Sequence, residues 1–117
     1  MTIMKIEKFE DILSWRKSQD LAVVIYRIFN KNKDFGFKNQ IERAVISIGN
    51  NIAEGYERRS NKEFTQFLYI AKGSCGEVRS MLYVALKLKY ISAEEFETLA
   101  HSAKEISKLL SGLIKTL

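Results

Sequence analysis

With 117 residues, 46% hydrophobic and 28% charged, the chain has the length and balance of one globular domain built on a single core. No proline, only 6 glycines and a single cysteine exclude a collagen-like, linker-rich or disulfide-stapled protein and point to long helices with short connections. An excess of 19 basic over 14 acidic residues gives +5, which favours polyanions without naming one.

The opening M-T-I-M-K-I-E-K-F-E alternates charged and apolar residues and lacks the apolar stretch of a secretory signal. Residues 1–10 read as a loosely held arm, and residues 11–117 as a single bundle domain. Apolar runs such as Met81 to Leu86 are broken by charge well before the roughly 20 residues a membrane helix needs, so no membrane association is expected. The lone cysteine fits a reducing, cytoplasmic setting.

Four segments repeat apolar residues every three or four positions, which stacks side chains along one face of a helix. The first runs from about Asp11 to Lys31, with Leu21, Val24, Ile25 and Ile28 inward, and ends in the turn-prone Asn30-Lys31-Asn32-Lys33-Asp34 and Gly36. The second spans about Lys38 to Glu57, with Ile41, Val45, Ile48 and Ile52 on one side; Asn39 and Glu42 have the spacing to cap its start, and Gly55 loosens its end. Ser60 and Glu63 form a capping box for the third, which continues to about Tyr90 along Phe64, Phe67, Ala71, Cys75, Val78, Leu82 and Leu86. Ser92 and Glu95 repeat the device before a fourth helix carrying Phe96, Leu99, Ala103, Ile106, Leu110 and Leu113. An all-α, antiparallel up-and-down four-helix bundle buries these stripes most simply.

Helices one and three carry more apolar surface than one seam requires, at Leu21 to Tyr26, Phe67 to Ala71 and Met81 to Leu86. A helix apolar on more than one side buries the extra face elsewhere, so a homo-oligomer is expected. Gly73 and Gly76 each cost roughly 1 kcal/mol inside a helix, and with Ser80 they fit a side where another backbone comes close. Tyr69 and Tyr83 flank that side and complete the expected interface.

Ser47, Asn51 and Glu54 on helix two, and Ser74 and Glu77 on helix three, stand in apolar register and need hydrogen-bond partners. A pair of carboxylates, Glu54 and Glu77, could hold a metal, but a di-metal bundle adds a Glu-x-x-His step that is absent, so a structural polar network is preferred and no cofactor is expected. Cys75 sits on the seam as a small core residue, and His101 has no acid three residues before it. Trp15 beside Arg16 and Lys17 anchors its own helix more readily than it stacks a base. No catalytic constellation emerges, and no enzyme is expected.

Arg58, Arg59 and Lys62 cluster between helices two and three, with Arg43 and Lys72 adding charge on those helices. Such a patch suits RNA or DNA phosphates and predicts salt-sensitive binding; a solvated basic face is the plain alternative.

At Ser47-Ile48, Asn51-Ile52-Ala53-Glu54-Gly55, Arg58-Arg59-Ser60, Lys62-Glu63-Phe64, Phe67-Leu68 and Ala71 with Gly73-Ser74, the sequence resembles the four-helix-bundle proteins encoded in 23S ribosomal RNA intervening sequences. The likeness extends from Trp15 and Lys17 to Gly112-Leu113-Ile114. Where the family has proline and serine before its Asn-Ile-Ala-Glu-Gly element, this chain has Gly49 and Asn50, so a glycine soft point is expected in place of a proline kink. The resemblance implies a small bacterial bundle assembling as a ring-like homopentamer. It is also similar in fold to the accessory variability proteins of diversity-generating retroelements, which are basic and pentameric and engage a reverse transcriptase and nucleic acid; a nucleic-acid-processing protein is the partner this implies.

Overall fold

Four helices, α1 (Leu13–Phe29), α2 (Phe35–Tyr56), α3 (Asn61–Lys87) and α4 (Ala93–Lys115), form an all-α bundle in a computed structural model that describes residues 5–117. The expected arm falls partly outside the described residues, which begin at Lys5; a 3-10 turn at Phe9–Asp11 precedes α1, and Phe9 packs edge-on against Trp15 with ring centres 5.1 Å apart. Each helix packs against two others: α2 and α4 both touch α1 and α3, while α1 and α3 do not meet. Among the described residues there is no strand, and no helix is long and apolar enough to cross a membrane.

The helix ends follow local chemistry. α2 begins three residues before the expected Lys38, because Asp34 rather than Asn39 caps it: the Asp34 carboxylate accepts from the Phe37 amide at 3.2 Å. Gly36 therefore lies inside the first turn, not in the break. Ser60 caps α3 by accepting from the Glu63 amide at 3.2 Å, but Glu63 meets the Ser60 hydroxyl instead of reaching back to its amide. The box closes fully at α4, where Ser92 accepts from the Glu95 amide at 3.0 Å and Glu95 accepts from the Ser92 amide at 2.8 Å. α3 stops at Lys87, three residues short of Tyr90, because Lys89 turns left-handed at φ 61° and the Tyr90 and Lys89 amides fold back onto the Ala85 and Leu86 carbonyls.

The core holds the α2 stripe as expected, with Ile41, Val45, Ile48 and Ile52 buried. On α1 the inner stripe shifts to Leu21, Ala22, Ile25 and Phe29; Val24 is 39% exposed and Ile28 only partly buried, because both lie along the groove between α1 and α4. On α3, Leu68 and Ala85 take the buried places expected of Phe67 and Leu86. Phe67 instead covers Gly55, with the Arg58 guanidinium 4.8 Å above its ring.

Two glycines set helix separations. A Cβ at Gly55 would come within 2.5 Å of the Phe67 Cβ, so α2 and α3 touch there only because the side chain is missing. At Gly49, α2 runs unbroken, and the expected soft point is a crossing: a Cβ would lie 2.7 Å from both Ser18 Oγ and Gln19 Nε2 of α1. Glu42 is also buried in α2, held by Lys38 one turn earlier at 3.0 Å. Its spacing from Asn39 suits a cap, but with α2 starting at Phe35, Glu42 lies two turns into the helix and is buried there.

Candidate functional site

The turn between α2 and α3 gathers cations because α2 ends at Tyr56 and α3 starts at Asn61, leaving four residues to reverse the chain. Arg58 and Arg59 line a hollow there with Tyr56, Ser60, Phe64 and Leu117. Arg58 is already engaged: it donates to Glu54 at 3.0 Å and covers Phe67. Among the described residues neither Arg59 nor Lys62 has an ion-pair partner, and both are exposed. Arg43 is exposed on α2, while Lys72 lies half-buried on α3 close enough to Cys75 to act on its thiol. The turn therefore unites Arg58, Arg59 and Lys62, with Arg43 and Lys72 lying on the helix bodies.

Of the five polar residues in apolar register, Ser47, Asn51 and Ser74 form one linked trio across α2 and α3, while Glu54 and Glu77 pair elsewhere. Asn51 donates to the Ser47 carbonyl at 2.8 Å and to its hydroxyl at 2.9 Å, and Ser74 Oγ lies 3.0 Å from Ser47 Oγ and 3.2 Å from the Ile70 carbonyl. Glu77 accepts from Gln40 at 2.7 Å, and Glu54 turns to Arg58. Glu54 and Glu77 thus face different partners, and among the described residues no three His, Cys, Asp or Glu side chains gather as ligands for a cation. Reading down these pairs, Gly55 meets Phe67, Ser47 meets Ser74 and Gln40 meets Glu77, so positions rise on α3 as they fall on α2.

Burial from solvent pushes the Cys75 thiol up to about 12, against the weaker pull of Arg79 and Lys72. A thiol so protonated is a poor nucleophile near neutrality.

The outward side of α3 is apolar and small. Tyr69, Ile70, Tyr83 and Val84 are all at least 45% exposed. Among the described residues nothing lies within 4 Å of a Cβ placed at Gly73 or Gly76, so neither glycine serves a contact between the four helices.

A second basic groove escaped the sequence reading. Arg79, Tyr83, Phe96, Glu97, His101 and Lys104 line a hollow between α3 and α4. Lys72 stands two turns before Arg79 on the same flank, a spacing visible in the sequence, but that flank meets Lys104 only once the phase of α3 against α4 is fixed.

The 23S rRNA-intervening sequence protein family matches residues 10–112. A crystal structure of a protein with unknown function from the S23 ribosomal protein family of Bacteroides thetaiotaomicron is similar, with 34% identity and a TM-score of 0.82, over 88% of this chain and 99% of that one. No curated protein matches the chain.

Proposed function

Because the chain belongs to the 23S rRNA-intervening sequence protein family, we propose that it is a non-enzymatic, oligomeric bundle that binds RNA or DNA through the basic turn between α2 and α3. The observation that carries this reading is the cluster of Arg58, Arg59 and Lys62, in which only Arg58 has an acidic partner among the described residues. Exposed cations without partners exchange their counterions for phosphates, and the released ions drive binding. Arg43 and Lys72 extend the field along α2 and α3. In this reading the protein acts in the cytoplasm, and a nucleic-acid-processing protein is its partner.

The same reading makes the fold an antiparallel up-and-down bundle that closes into a homopentameric ring through the side of α3 bearing Tyr69, Gly73 and Gly76, with Tyr83, held against Phe96 at the α4 edge of that side, left outside the contact. Support comes from the exposed Tyr69 ring and from glycines that meet nothing among the described residues. Ring closure repeats the basic turn around the assembly, so weak sites act together on one long polyanion.

Retention of a structured RNA hairpin at rising salt tests the proposal. Binding is expected to fall steeply with salt, and reversing charge at Arg58→Glu and Arg59→Glu is expected to weaken it at least tenfold. Unchanged binding by that double variant removes the turn as the contact surface.

The exposed apolar side of α3 also favours a second reading, a structural or protein-interaction module without a nucleic-acid role. Salt-insensitive capture of a protein partner, with no nucleic acid retained, is the outcome that selects it.

A further inference from the structure

The hollow between α3 and α4 combines unpaired cations with an exposed aromatic ring. Arg79 and Lys104 face it from opposite helices, with His101 beside Lys104, and Lys108 continues the same side of α4 one turn on. Among the described residues none of Lys72, Arg79, Lys104 and Lys108 has an ion-pair partner. The acids nearby are Glu97 and Glu105, which both line the groove, and Glu105 is neutralised by Lys17 of α1 at 3.1 Å. Positive charge therefore predominates along the groove.

Its floor is aromatic. Tyr83 packs edge-on against Phe96, with ring centres 4.9 Å apart and planes at 62°, yet stays 54% exposed. One ring edge is fixed while much of the ring remains open to a flat partner.

We propose that a single strand of nucleic acid runs along this groove, with its phosphates on Lys72, Arg79, Lys104 and Lys108 and one unpaired base stacked on Tyr83. The inference rests on the nucleic-acid reading above and adds a path for the strand away from the α2–α3 turn. Packed helices lie about 8–10 Å apart, which suits one backbone between their rims rather than a duplex. Lys72 and Arg79, seven residues apart, are separated by roughly 10 Å of helix, a stretch that a few nucleotides cover. Stacking on an aromatic ring requires a base free of its pairing partner, so the same ring favours single strands. The seven-residue spacing of Lys72 and Arg79, close to two full turns, sets both on one flank of α3.

Anisotropy titrations of a fluorescent short oligouridylate and oligothymidylate against the full chain test this path. Arg79→Gln with Lys104→Gln is expected to weaken both probes roughly tenfold and to lower the salt slope by about 1.4, at about 0.7 per lost single-strand phosphate contact. Arg16→Gln with Arg27→Gln removes the same charge from exposed positions on α1, which does not touch α3, and is expected to change affinity less than about threefold. Equal losses in the two double variants mean bulk charge alone and overturn the groove. Wild-type affinity in the groove variant, with loss in Arg58→Glu/Arg59→Glu, overturns the groove and leaves the nucleic-acid reading standing. No binding of either probe or of the hairpin by the unaltered protein defeats that reading itself.

Crosslinking the unaltered protein to a 4-thiouridine oligonucleotide guards against a variant that fails to fold. Adducts on peptides containing Tyr83 or His101 support the path, and adducts confined to other peptides overturn it.

Discussion

The Tyr90 hydroxyl donates to the Asp34 carboxylate across 2.6 Å, tying the α3–α4 turn to the residue that caps α2. Phe37, at the third position of α2, packs against both Phe29 and Tyr90, so an aromatic cluster sits under the same link. The hydrogen bond from Tyr90, then that from the Phe37 amide, lowers the pKa of Asp34, and the Tyr90–Asp34 bond raises the pKa of Tyr90.

These shifts define two pH limits. Asp34 is depressed on folding, so its contribution is present above the unfolded carboxylate value and disappears as pH falls through the folded one, below about pH 4. Tyr90 is raised, so its contribution is complete below about pH 10 and disappears as pH rises through its folded value. Thermal melts of Tyr90→Phe are expected to lie below those of the unaltered protein between these limits and to converge with them outside. A gap that does not change with pH shows that ring packing, not the bond, is responsible.

Glycines on the two sides of the bundle predict opposite effects. Gly55→Ala drives a methyl into Phe67, a clash costing about 1–3 kcal/mol that outweighs the helix propensity gained. Gly73→Ala and Gly76→Ala meet no atom among the described residues, and each is expected to stabilise the isolated bundle by about 1 kcal/mol. Denaturant midpoints measure both. Under the proposed ring, the outer pair is expected to lower the mass seen in sedimentation, since a copy seated on that side would lose its close approach; a mass equal to that of the unaltered protein removes this side as the ring contact.

Lys89 occupies a left-handed position that suits glycine. Lys89→Gly is expected to stabilise the protein by about 1 kcal/mol, relieving the strain of a side chain at φ 61° while keeping the hydrogen bonds that end α3. Urea unfolding with an unchanged slope and a higher midpoint is the expected result.

Cys75 is fully buried and its thiol is pushed up to about 12. At pH 8 its thiolate is roughly a thousandfold scarcer than that of a thiol at 9.0, so a disulfide reagent is expected to label the native protein only through unfolding. Rapid labelling in native buffer contradicts that burial.

Much of this architecture is legible in the sequence because short-range chemistry writes it. Ser92 and Glu95 bond as their spacing indicates, and the Ile41, Val45, Ile48 and Ile52 stripe is buried throughout. The start of α2 misleads because Asn39 and Glu42 imitate a cap, whereas Asp34 acts in a run that reads as turn. Phe67 and Leu68 are adjacent apolar residues, and only the contact with Gly55 decides which of them lies inside. Of the candidate site, the arginines of the α2–α3 turn are contiguous and therefore visible, while Arg79 and Lys104 are separated by a turn and by the relative rotation of two helices.

α1 opens without a side-chain cap: Ile12 occupies that position, and the buried Ser14 hydroxyl just inside has no hydrogen-bond partner among the described residues. The three later helices each begin on an Asp or Ser that binds an amide of the first turn. Fraying is therefore expected to begin at this corner, with deuterium entering the Leu13 to Trp15 amides ahead of those at the other three helix starts. A protease that needs several unwound residues finds them first where the 3-10 turn joins α1.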